Sequence, residues 1–188
     1  MKSMQMKTKV CLVGDAAVGK TSLIRRFVLN EFDDKYILTV GTKVCKKQLK
    51  VLLPEIETQV ECNVMIWDIM GQKGFRDLFK TAYFYHTEGI IAVCDVTRYP
   101  TMITLNDWIK NVNDIAGNVP VMLVANKVDL NDKIEFGEEE MSQIAKIYDS
   151  PFFFSSAKTG KNVETVFHTL VERITTKQIK KNKQLITK

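Results

Sequence analysis

Gly14-Asp15-Ala16-Ala17-Val18-Gly19-Lys20-Thr21 brackets four residues between two glycines and follows them with a lysine and a hydroxyl. Glycines let a backbone curl closely around an anion. Successive N–H groups then point inward as a nest, and a following helix adds its positive end. In a loop of this kind the lysine reaches the outer phosphates of a nucleotide and the hydroxyl ligates Mg²⁺. The spacing G-x-x-x-x-G-K-[ST] therefore marks a phosphate-binding loop. Asp15, Ala16, Ala17, Val18, Gly19, Lys20, Thr21 and the adjoining Ser22 are its expected nucleotide contacts.

The loop alone does not choose a base. Asn126-Lys127-Val128-Asp129 follows the apolar run Val121–Ala125. A carboxylate accepts two hydrogen bonds from the N1–H and 2-amino groups of guanine, and adenine has no matching pair of donors. Asp129 is thus expected to select guanine, because buried groups left unpaired make the wrong base costly. Asp68-Ile69-Met70-Gly71 follows another apolar run. D-x-x-G is a weak pattern by itself. At a strand end beside the phosphate loop, Asp68 can hold Mg²⁺ through its water shell and the Gly71 N–H can approach a γ-phosphate.

Strand and helix signals alternate along the chain. Lys9–Val13 reads as a strand and Thr21–Leu29 as a helix, with a loop over Asn30–Gly41. Thr42–Leu53 and Thr58–Asp68 read as a hairpin turning at Pro54-Glu55. Phe75–Tyr85, Leu105–Ile115, Glu138–Tyr148 and Val163–Ile174 carry helical patterns. Ile90–Cys94 and Val121–Ala125 are short unbroken apolar runs, as in strands covered on both faces, and Phe152–Phe154 reads as a last short, buried strand. The order predicts an α/β fold of the P-loop NTPase type: a mostly parallel central sheet, one antiparallel edge hairpin, and helices on both faces. Ligands in such a fold sit beyond the carboxyl ends of the strands, where all three loops lie.

Taken together, the motifs resemble those of the small GTPases of the Ras superfamily, most nearly the Rab-like branch. The resemblance runs from about Thr8 to Thr175 and includes Tyr36-Ile37-Leu38-Thr39-Val40-Gly41, Trp67-Asp68-Ile69-Met70-Gly71-Gln72 and Ser156-Ala157-Lys158. It implies a guanine-nucleotide switch that hydrolyses GTP to GDP slowly and binds effectors in the GTP state, in signalling or vesicle trafficking. It implies Mg²⁺ as cofactor, with Thr39 completing its coordination beside Thr21 and, indirectly, Asp68. Gln72 is implied to orient the attacking water, Phe32 to pack on the guanine, Lys127 to lie along the base, and Ala157 to offer its N–H to the guanine oxygen. Ser156 and Lys158 complete that loop. An exchange factor, a GTPase-activating protein and effectors are the implied partners of an expected monomer. No residue is assigned as an arginine finger in cis.

Some positions depart from the family pattern. Ala16, Met70 and Lys73-Gly74 replace its usual residues, and Ala16, Met70 and Gly74 motivate an alternative reading as a nucleotide-loaded adaptor with negligible turnover. The intact Gln72 and Thr39 argue against it. Val44 stands where an aromatic usually joins Trp67 and a residue near Tyr83 or Phe84 in an effector-binding trio. The stretch from Thr39 to Trp67 is longer than the pattern, the excess lying near Leu53–Val60. An ATP-dependent kinase is opposed by Asn126-Lys127-Val128-Asp129.

The 188 residues fit one domain, 45% apolar and 26% charged. The net charge is +5, yet Arg173 and five later lysines carry six positive charges with no acid after Glu172, leaving the rest at −1. The expected division is a G domain over 1–175 and a basic tail over 176–188. A basic tail on a near-neutral body argues against a nucleic-acid face and allows contact with an anionic membrane. No lipidation cysteine follows Cys94. Cys11, Cys45, Cys62 and Cys94 show no metal or disulfide pattern, and no run is long enough for a membrane span or a signal-peptide core. A cytoplasmic protein, at most peripheral at a membrane, is expected. His86 and His168 read as isolated, and Trp108 as core.

Overall fold

The computed structural model describes residues 4–33, 39, 41–53, 58–71 and 81–186. Six strands form one sheet in the order β2-β3-β1-β4-β5-β6. They are β1 (Met4–Val13), β2 (Thr42–Leu53), β3 (Thr58–Ile69), β4 (Gly89–Asp95), β5 (Val121–Asn126) and β6 (Phe152–Phe154). Among the described residues only β2 and β3 pair antiparallel; the remaining pairs are parallel. The helices are α1 (Lys20–Leu29), α2 (Tyr99–Ile103), α3 (Leu105–Ala116), α4 (Glu138–Ile147) and α5 (Val163–Ile186). Among the described residues no helix is long and apolar enough to cross a membrane.

Alternation along the strands builds two cores. Val10, Leu12, Ile91, Val93, Met122 and Val124 point to one face and pack with α1 and α5. Cys11, Val13, Ile90, Ala92, Cys94, Leu123 and Ala125 point to the other and pack with α3, including the fully buried Trp108. Burial on both faces explains why β4 and β5 read as unbroken apolar runs. Phe27 of α1 stacks on Phe167 of α5, centroids 3.9 Å apart and ring planes nearly parallel. All four cysteines are free thiols. Burial pushes the Cys11 thiol up to about 11 and raises that of Cys94 as well.

The sequence boundaries need correction at several points. β1 begins at Met4 rather than Lys9. Its first half has a period-two pattern, with Met6 and Thr8 turned towards α5 and Gln5 and Lys7 exposed. α5 ends at Ile186 rather than Ile174, so the expected boundary at 175/176 falls inside an unbroken helix. The extension is held because Thr175 is buried, its hydroxyl 3.5 Å from the Cys62 thiol, and Ile179 packs against the core cluster to which the hairpin contributes Leu49, Val51 and Val60. β6 is half-buried, not fully buried. The turn at Pro54-Glu55 and most of the helix expected over Phe75–Tyr85 lie outside the described residues; 81–84 are helical. α2 was not expected.

Candidate functional site

The phosphate loop joins β1 to α1. Gly19 caps α1 with φ 101°, a left-handed conformation that favours glycine. A Cβ there would lie 2.2 Å from Asn126 Nδ2, so the close approach also excludes a side chain. The first N–H groups of α1 have no intrahelical acceptor and face a cleft of about 300 Å³. Lys20 is buried and its Nζ donates to the Gly14 and Asp15 carbonyls, both at 2.8 Å. Burial lowers its pKa to about 8, against the opposing pull of Asp68 and Asp15. Ala17 adopts φ 63°, unusual for a residue with a Cβ.

Thr21, Thr39 and Asp68 meet at one end of the cleft. Thr21 Oγ1 donates to Asp68 Oδ2 at 2.5 Å, and Thr39 Oγ1 lies 3.0 Å from Thr21 Oγ1. Asp68 Oδ1 is buried with no hydrogen-bond partner. Burial raises the pKa of this carboxyl, while the Thr21 hydrogen bond and Lys20 oppose it. Hard divalent cations prefer a cluster of oxygens that includes a carboxylate, so these residues fit Mg²⁺. Gly71 lies against the loop: a Cβ there would sit 2.5 Å from the Ala16 nitrogen.

The other end is built from the loops after β5 and β6. Asn126 is buried; its Nδ2 donates to the Val18 carbonyl (2.9 Å) and its Oδ1 accepts the Ala157 N–H (3.2 Å). It thus ties three loops together, and the Ala157 N–H expected for a base is directed at Asn126. Ser156 is buried and donates to Asp129 Oδ1 at 2.5 Å. Lys127 pairs with the buried Asp95 at 2.6 Å. Burial would raise the Asp95 pKa, but hydrogen bonds from Lys127 and Thr97 outweigh it and hold the carboxyl below its usual value.

Of the residues expected from sequence, Ala16, Ala17, Gly19, Lys20, Thr21 and Ser22 line the cleft, as do Phe32, Thr39, Gly71, Asn126, Lys127, Asp129, Ala157 and Lys158. Asp15, Val18 and Ser156 stand behind its wall. The Asp15 carboxylate faces away, accepting from the Trp108 indole N–H and the Thr104 hydroxyl, both at 2.9 Å. Trp108 is core, as expected, and also anchors the loop. Gln72 lies outside the described residues. Sequence reasoning missed Arg26, which donates to the Ala157 and Lys158 carbonyls at 2.9 and 2.6 Å. It also missed Arg98, which binds Asp95 and donates to the Ala16 carbonyl, each at 3.0 Å. Ile69, Met70, Leu130, Arg25 and Asp33 complete the wall. Among the described residues no cluster of metal-ligating type involves His86 or His168.

The Ras family model matches residues 9–176. The human Ras-related protein Rab-8B is 35% identical over 170 residues, covering 90% of this chain and 79% of its own. Rab-8A of Bos taurus is 34% identical over 174 residues, with coverages of 92% and 81%. Rab-8 of Diplobatis ommata is 35% identical over 174 residues, with coverages of 92% and 80%.

Proposed function

The chain belongs to the Ras family of small GTPases, in its Rab-like branch, and on that premise we propose a slow GTP-hydrolysing switch whose working residues are those of the cleft. Guanine-nucleotide binding and GTP hydrolysis are properties of the family; the residue roles and the output below are our reading.

Lys20 and the first N–H groups of α1 bind the phosphates and neutralise charge that develops on the γ-phosphoryl group. Thr21, Thr39 and Asp68 would hold Mg²⁺, which when bound would supply further neutralisation of phosphate charge. Gln72 orients water for in-line attack. Asp129, held by Ser156, reads the guanine edge, with Lys127 and Phe32 flanking the ring. The observation that carries the reading is the buried, partnerless Asp68 Oδ1 beside Thr21, Thr39 and Lys20. That is an oxygen cluster and a cation at the end of a cleft whose other end holds Asp129.

Exchange factors, a GTPase-activating protein and effectors follow as partners, with the protein cytoplasmic and peripheral at membranes. Val44 pairs in register with Trp67, and Tyr83 is half-buried while Phe84 is in the core. Tyr83 is therefore the better third member of the effector surface. The adaptor reading draws support from Ala16 and Met70, whose side chains line the cleft.

Single-turnover cleavage of loaded GTP separates the two. The switch requires slow cleavage by the parent, none by Gln72→Leu, and no binding of ATP. Tight GTP binding without cleavage in both proteins would establish the adaptor instead.

A further inference from the structure

The strands of this sheet do not begin level with one another. β1 starts at Met4, whereas β4 starts at Gly89, opposite Val10. From Met4 to Lys9, β1 pairs with β3 on one side. Among the described residues no strand pairs with its other edge there. The register between β1 and β3 is constant from Met4 to Leu12, so no bulge disturbs the alternation of backbone groups. Lys9 marks the parity of the free edge. Its N–H donates to Glu88 Oε2 (3.0 Å) and its carbonyl accepts the Glu88 N–H (2.9 Å). Lys7 and Gln5, two and four residues earlier, present their N–H and C=O groups to the same side.

This edge walls a groove of about 700 Å³ at the end of the sheet away from the nucleotide cleft. Ile174, Lys177, Gln178 and Lys181 of α5 form a second wall, one stripe at helical spacing. Lys7, Lys9, Lys177 and Lys181 make the groove cationic, and its single lining carboxylate, Glu88, is bound by Gln178 Nε2 at 2.5 Å. The Lys9 ammonium rests on the Tyr83 and Tyr85 carbonyls (2.7 and 2.8 Å) and Lys177 on the Asn118 carbonyl, so neither charge is met there by a carboxylate.

We propose that this groove receives an extended acidic segment of a partner protein, which joins the sheet as a strand beside β1 in the position that β4 does not reach. Such a strand would lie about 4.8 Å from β1 and pair with Gln5 and Lys7. Lysines on an open edge repel basic strands and make pairing with neutral ones costly, because their charges would be desolvated; the same lysines admit an acidic one. An anionic membrane would meet the lysines but leave the strand edge unpaired, so the backbone geometry favours a polypeptide. The proposal is independent of whether the nucleotide is hydrolysed.

The probe is a fluorescein-labelled hexapeptide of alternating glutamate and valine, titrated by anisotropy against the GDP-loaded chain. Its comparisons are the all-lysine counterpart, a version N-methylated at alternate residues, and phosphatidylserine vesicles. Gln5→Pro removes one edge-facing N–H and is tolerated at a sheet edge; an unchanged urea midpoint establishes that it folds. The acidic peptide should bind and protect the Gln5 and Lys7 amides from exchange. N-methylation, Gln5→Pro, and the pair Lys7→Glu with Lys181→Glu should each weaken binding about tenfold or more, and salt should weaken it further. Absence of binding at millimolar peptide overturns the proposal, as does indifference to both N-methylation and Gln5→Pro. Lysine-dependent capture by vesicles without peptide binding would assign the groove to a membrane instead.

Discussion

Replacing Asn126 by alanine tests whether this side chain is a clamp between loops or a direct contact to the base. The geometry makes it a clamp. Asn126 is 1% exposed, donates to Val18 and accepts from Ala157. Alanine removes both hydrogen bonds and leaves a buried carbonyl and a buried N–H unpaired, each costing ~1–3 kcal/mol. The expected loss is about 3 kcal/mol, roughly 150-fold in the folding equilibrium. At a urea dependence of about 2 kcal/mol per molar, the midpoint should fall by about 1.5 M. Because nucleotide stabilises the folded state by mass action, unfolding is followed at several GDP concentrations and extrapolated to none. Asn126→Asp provides the second arm. It keeps an acceptor for Ala157 but sets a carboxylate against the Val18 carbonyl, so it should be no milder than alanine. A loss below ~1 kcal/mol for Asn126→Ala, together with a large drop in GDP affinity, would refute the clamp and return Asn126 to the base.

Three further perturbations follow from the same structure. Asp95→Asn leaves the Lys127 ammonium without its carboxylate and should cost about 3 kcal/mol near neutral pH. Since hydrogen bonds from Lys127 and Thr97 outweigh burial and hold the folded pKa of Asp95 below the usual carboxylate value, its stabilisation is complete above that usual value and is lost as pH falls through the depressed one; the gap between parent and mutant in urea unfolding should close there. Phe167→Ala removes a buried ring stacked on Phe27 and should cost ~3–5 kcal/mol, read as a lowered thermal midpoint with nucleotide concentration held fixed. Asp68→Asn takes the charge from the oxygen cluster and should raise the Mg²⁺ concentration that retains bound GDP by about 10–100-fold; an unchanged Mg²⁺ dependence would remove Asp68 from the metal site.

The parts of the molecule legible in the sequence were those with a local signature. The phosphate loop carries its own spacing, and the loops after β3, β5 and β6 follow apolar runs that mark strand ends. The hairpin bounds Thr42–Leu53 came directly from pattern. What escaped was made by contacts between distant segments. Arg26 reaches Ala157 across 131 residues and Arg98 reaches Ala16 across 82, and no local pattern distinguishes either from a solvated surface arginine. Trp108 read as core because its helical spacing is apolar, and nothing in the sequence joins its indole N–H to Asp15. The second half of α5 was missed because its lysines mask the helical spacing of Thr175 and Ile179. The N-terminal half of β1 was missed because a period of two over residues as weakly apolar as Met4, Met6 and Thr8 is faint without its partner strand.

These missed contacts share one electrostatic logic. Arg26, Arg98 and Lys127 hold their charges on carbonyls of the site loops or on Asp95, so the loops are fixed by cations whose charges are already met within the protein. Lys20 is different. Its hydrogen-bond partners are two carbonyls of its own loop, and burial outweighs the pull of Asp68 and Asp15, lowering its pKa to about 8. A buried ammonium held this way is poorly compensated in the protein alone. A polyphosphate laid along the loop would supply the missing negative charge without moving the lysine, which Gly14 and Asp15 already aim. Preorganisation of that kind costs little reorganisation when charge builds on a γ-phosphoryl group. The surrounding cations fix the loop's shape, and Lys20 is left as the buried charge best placed to answer the ligand.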